Sequence, residues 1–137
     1  MNPIIRNILA IVAGFSVGML VNMGIIQVSP LLIPPPEGAD MLTPEGITAA
    51  LPFLKPLHFL IPFLAHAMGT FAGAYVAARL AATRKMSIAI GFGILNLVGG
   101  ITAATMIPAP VWFIATDLLL AYLPVAYLAG RLNSSKS

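Results

Sequence analysis

Apolar runs dominate the chain, and polar positions mark where they end. The clearest run lies within 56–85, PLHFLIPFLAHAMGTFAGAYVAARLAATRK, where positions 59–78 carry no acid, Lys or Arg and one histidine, His66. Those twenty residues suffice for one crossing, because a bilayer core takes about 20 apolar residues at about 1.5 Å each. Runs of this kind predict helices over about 4–28, 57–82, 86–107 and 111–132, joined by one long connection, 29–55.

The ends of these runs carry the expected punctuation. Asn2 and Pro3 resemble a helix start. The first run is broken only by Arg6, Asn7, Ser16, Asn22 and Gln27. It is longer than the 7–15 apolar residues of a signal peptide and lacks a small-residue cleavage pattern, so a retained span is expected. In the connection, Pro30 and Pro34–Pro35–Pro36 favour an extended path. Thr43, Pro44 and Glu45 then read as a cap, a first-turn proline and a first-turn acid, predicting a short helix over 44–51. This connection reads as an exterior loop ahead of a substrate lid. Pro108–Ala109–Pro110 makes a tight hairpin, and Trp112 follows at the position of a membrane–water boundary. The chain ends in a short polar stretch, 133–137, and no internal repeat is visible.

Composition turns this pattern into a class. The chain has 137 residues, 59% hydrophobic and 8% charged, with a mean hydropathy of +0.98. Soluble domains carry about 25% charged residues. The fold class is therefore all-α: a polytopic membrane protein, one domain over 1–137, built as a bundle of four transmembrane helices in a lipid bilayer. The net charge of +3 does not point to nucleic acid, because the basic residues sit at run ends without interleaved aromatics. With no cysteine there is no disulfide or thiol nucleophile.

Four spans put both termini on one side, together with Arg6, Arg79, Arg84, Lys85, Arg131 and Lys136. The other side has Lys55 with Glu37, Asp40 and Glu45. Lys and Arg stay cytoplasmic near span ends, so cytoplasmic termini are expected.

Orientation converts position into depth. Measured from the loop side, His66 lies about 13 Å in, Asp117 and Asn22 about 9 Å, and Thr102 about 8 Å, with Asn96 nearer the middle. Small residues share faces with them: Gly14 and Gly18 with Asn22, Gly69 and Gly73 with His58, Pro62 and His66, Gly93 and Gly100 with Asn96, and Ala121 and Pro124 with Asp117. The expected bundle turns these glycines inward as packing seams and gathers Asn22, His66, Asn96, Thr102 and Asp117 inside. Asp117 is the leading candidate, since a carboxylate in a span is costly and usually faces an interior or a pathway. Three states stay open for it: protonated, paired with His66, or hydrogen-bonded to a neighbouring helix or the Pro108–Pro110 turn. His66 itself reads as a proton relay or as a hydrogen-bonded core residue. His58 and His66 are about 12 Å apart along one helix, too far for one metal site, so no metal and no cofactor are expected.

NPIIRNILA at the start, FLAHAMGTFAGA over 63–74 and MIPAPVWF followed by Asp117 resemble short bacterial four-span membrane proteins of no assigned activity. The resemblance implies a bacterial inner membrane and four helices. Small multidrug exporters are similar in size, but their first span carries a glutamate where this chain has Asn22. Small fluoride channels are also similar in size, without shared motifs. The first functional expectation is a helix-packing or accessory component, as a homo-oligomer or within a larger membrane complex, rather than an enzyme. Two alternatives stay open: a small proton- or cation-coupled transporter or channel using Asp117 and His66, and a membrane enzyme acting on a lipid.

Overall fold

The computed structural model describes residues 1–135, so Lys136 of the basic set lies outside the described residues. The fold is all-helical: α1 (Pro3–Leu32), α2 (Pro44–Ala50), α3 (Pro56–Leu80), α4 (Lys85–Met106), α5 (Val111–Leu120) and α6 (Leu123–Ser134), with a 3-10 turn at Leu51–Phe53. Four stretches are long and apolar enough to cross a membrane: α1, α3, α4, and α5 with α6 as one broken span, Val111–Ser134. The chain is thus a multi-pass membrane protein by length and composition.

Two boundaries differ from the sequence expectation. The first helix runs on to Leu32, because Pro30 in the last turn forfeits only its own amide while Ile33 N–H still donates to Ser29. The fourth span is not continuous. Pro124 has no N–H, and its ring opposes the carbonyl four residues earlier, so α5 ends at Leu120 and α6 starts at Leu123. Tyr122 sits at the break, with φ −116° and ψ −76°.

Packing follows the small residues. α1 lies along α3, where a Cβ at Gly14 would stand 2.5 Å from the Gly73 carbonyl oxygen and one at Gly18 would stand 2.8 Å from that of Gly69. On another side, α3 packs with α4 and α6 around Ala74, Ala77, Ala78, Ala89, Phe92, Ala126 and Ala129. Gly93 admits Ala126, and Gly130, which the sequence reading passed over, admits Met86 and Ala89. Most large apolar side chains of α1 and many of α4 and α5 face outward, as lipid solvation requires.

Polar groups tie down the two ends. At the end bearing both termini, Asn7 Oδ1 accepts from Ala82 N–H at 2.8 Å and Arg6 Nε donates to Leu80 at 2.9 Å. This holds the α3–α4 turn, where Arg84 adopts a left-handed φ of 53°. At the loop end, His58 Nδ1 accepts from Lys55 N–H at 2.9 Å, which leaves Nε2 to donate to the Pro34 carbonyl at 3.1 Å. The Thr43 hydroxyl caps α2 by accepting from Gly46 N–H. Phe59 of α3 meets Trp112 edge-on at 5.5 Å and Phe113 at 5.1 Å, docking the start of α5.

Candidate functional site

The site lies where α3 faces the broken span. His66 projects from α3 about 15 Å beyond Pro56, and Asp117 from α5 about 9 Å beyond Val111. His66 Nδ1 and Asp117 Oδ1 are 2.8 Å apart. The second carboxylate oxygen accepts from the Tyr122 hydroxyl at 3.1 Å. Tyr122 also stacks on His66, with ring centroids 6.0 Å apart and planes 24° from parallel. Two side chains, from α3 and the break before α6, therefore close on the one carboxylate of α5.

The break makes this possible. In a continuous helix, residues 117 and 122 would point about 140° apart, since each residue turns about 100°. The irregular backbone at Tyr122 redirects its ring toward Asp117. Gly100 of α4 admits that ring: a Cβ there would lie 2.6 Å from the Tyr122 oxygen.

Both carboxylate oxygens face donors, and the Asp117 side chain is only 7% exposed. An ionised Asp117 makes His66 Nδ1 the donor and leaves Nε2 with a lone pair. The accessible part of the group is the His66 side chain, at 30%. Protonation at Nε2 gives an imidazolium beside the carboxylate and takes the pair from net charge −1 to 0. Low polarisability around the group strengthens every interaction in it. One turn along the same face of α3, Thr70 is fully buried and its hydroxyl has no hydrogen-bond partner.

The remaining sequence candidates do not join this group. Thr102 is exposed and donates to the Val98 carbonyl of its own helix at 2.9 Å. It is two residues from the inward Gly100 and hence about 200° around the helix, which depth alone conceals. Asn96 is half-buried and donates back to Phe92 at 2.9 Å. Asn22 packs its Cβ against Gly69 on the α1 side, with its carboxamide oxygen buried and unpartnered. Pro124 is exposed rather than inward with Asp117, because the break turns it outward. Tyr122 and Thr70 were missed. Proline two residues after a tyrosine was the available signal for Tyr122; for Thr70 it was the four-residue step from His66.

Among the described residues, no three or more His, Asp or Glu side chains converge as metal ligands would. The fold and this group define an all-helical, multi-pass chain with a partly buried acid–imidazole–phenol contact between two spans. No family model, curated protein or solved structure matches the chain.

Proposed function

We propose that the chain is a small membrane transporter or channel component in which His66, Asp117 and Tyr122 bind and release a proton during proton- or cation-coupled movement. The observation that carries this reading is the 2.8 Å His66–Asp117 contact, made inside two candidate spans and beside a helix break. Ionisable residues within spans mark ion pathways and proton relays, and broken helices recur at transporter binding sites. In this reading the proton arrives at His66 Nε2, while Asp117 holds the ring through Nδ1 and stabilises the imidazolium. Tyr122 occupies the other carboxylate oxygen and keeps the acid aimed at His66. The kinship to short bacterial four-span proteins, the inner membrane and cytoplasmic termini belong to the same proposal, and the basic terminus end and acidic loop support the orientation.

Proteoliposomes carrying a pH dye and an imposed potential test it. Wild-type protein is expected to dissipate the gradient, and Asp117→Asn and His66→Gln to fall to the protein-free rate with normal insertion. Unchanged flux in Asp117→Asn overturns the role. Orientation has a separate test, since the chain lacks cysteine and single Glu37→Cys or Ser135→Cys probes are unambiguous. Only the Glu37→Cys probe should react with an impermeant thiol reagent added outside cells.

One observation favours a second reading. Asp117 is buried and both its oxygens are satisfied, as in a lock between spans. The chain would then be an accessory or oligomeric membrane component. In that case Asp117→Asn lowers thermal stability, and the wild-type protein moves no protons.

A further inference from the structure

The end carrying both termini has a feature that the His66 group does not use. A cavity of about 320 Å³ opens at the α3–α4 turn, and Thr83, Arg84, Lys85, Ser87 and Ser134 line it. Two cationic side chains and three hydroxyl-bearing residues thus surround one hollow. The four Asp and Glu side chains of the chain are Glu37, Asp40, Glu45 and Asp117, all toward the loop end or within a span. Among the described residues, no carboxylate forms an ion pair with Arg84 or Lys85. Arg6, by contrast, is already engaged with Leu80, and Asn7 fixes the turn by accepting from Ala82. The hollow is therefore held by α1, whose Asn7 Nδ2 also donates to the Thr83 hydroxyl at 3.1 Å, while Arg84 is exposed and Lys85 half-buried. No side chain caps α4, whose first helical bond is Ile88 N–H to Arg84. The amides of its first turn add partial positive charge to the same spot.

We propose that this hollow is a binding site for the phosphate of an anionic phospholipid headgroup. The chemistry asks for an anion with several acceptor oxygens, because Arg84 and Lys85 supply charge and Thr83 and Ser87 supply hydroxyl donors. The place selects the lipid. Lys85 begins a candidate span, so the hollow stands at the level where headgroups meet helix ends. This inference rests on the chain spanning a bilayer and is independent of any proton role for His66.

The test uses native mass spectrometry of the full chain from mild detergent, with added phosphatidylglycerol or phosphatidylcholine. The wild-type protein is expected to retain phosphatidylglycerol in preference. The double variant Arg84→Gln/Lys85→Gln should weaken retention by about tenfold or more, given about 1 kcal/mol for each basic residue near an anionic surface. The charge-matched control Arg79→Gln/Arg131→Gln should leave it close to wild type. Equal losses in the two doubles mean diffuse attraction to the basic end and overturn the site. Equal retention of the two lipids also overturns it. Displacement of the lipid by millimolar inorganic phosphate reassigns the hollow to a free anion and overturns the lipid assignment. Circular dichroism of each variant confirms folding before lipid is added.

Discussion

Helix α3 shows two ways of joining helices within a membrane. Toward α1 it presents Gly69 and Gly73, and the backbones approach until a Cβ at Gly14 or Gly18 would strike a carbonyl oxygen. Toward the broken span it presents His66, which reaches Asp117 through a hydrogen bond. The first seam is held by close packing, since lipid gives apolar faces no reason to leave it. The second is held by polar atoms whose alternative is an unpaired donor or acceptor away from water. A glycine seam tolerates no added volume but asks nothing of protonation. A polar contact tolerates small movements but depends on which atoms carry protons. Chemistry can reside only in the second.

The largest effect should come from breaking the first seam. Gly14→Val places its Cβ against Gly73 backbone, which cannot step aside. Overpacking costs about 1–3 kcal/mol where neighbours can shift and more where the obstacle is backbone, as it is here. The expected outcome is a clear fall in the unfolding midpoint in mild detergent. The matched control is Gly91→Ala on α4, where an added Cβ meets nothing within 4 Å. It should be neutral, or stabilise by up to about 1 kcal/mol through helix propensity. Equal behaviour of the two variants would mean that α1 does not pack closely on α3.

The second seam should respond less, and in a coupled way. Asp117→Ala leaves His66 and Tyr122 without their shared acceptor, at a cost of about 1–3 kcal/mol. Combined with His66→Ala in a double-mutant cycle, the pair should show a coupling of about 0.6–1.7 kcal/mol, the range for hydrogen bonds between membrane helices. Additive single effects would show that the two side chains do not stabilise one another.

A smaller change can be aimed at Tyr122 from outside the group. Gly100→Ala sets a methyl against the Tyr122 ring and hydroxyl, and the ring can yield. The expected result is a loss of under about 1.5 kcal/mol, the scale of one hydrogen bond, with the Tyr122–Asp117 bond broken. In a Tyr122→Phe background that bond is already absent, so the same Gly100→Ala change should cost less. An unchanged cost in that background would assign the effect to α4–α6 packing instead.

The same contrast explains what the sequence made legible. Gly14, Gly18, Gly69 and Gly73 repeat at four-residue steps, so the close-packing faces of α1 and α3 could be read directly, but not that they face each other. His66 and Asp117 were legible as candidates because both are rare in apolar runs and lie at matched depth, but their contact was not. Depth says nothing about direction, however, and Thr102 shared the depth while facing outward. Tyr122 was hidden for a different reason. Regular periodicity places it away from Asp117, and only the irregular backbone before Pro124 brings it back. The local rule failed where the helix fails, and the candidate site is built at that failure.

The smallest expected effect lies in the loop, beyond both seams, and it carries a pH dependence with a definite sign. The Leu42 N–H and then the Thr43 hydroxyl donate to Asp40 and hold its carboxyl below its ordinary value of 3.8. A carboxyl lowered in the folded state stabilises it above that ordinary value. The contribution disappears as pH falls through the lowered one, so nothing should change between neutrality and about pH 4. Below that, the entry to α2 should loosen first, because Thr43 also accepts from Gly46 N–H. Hydrogen exchange should show Leu42 and Gly46 amides losing protection on acidification, relative to the intrinsic rates at each pH. Asp40→Asn should remove most of that pH dependence while leaving the α3 amides unaffected. Persistence of the loosening in Asp40→Asn would move its origin to Glu37 or Glu45. Loosening that spread into α3 in step with the loop would show that the loop and the glycine seam open as one unit.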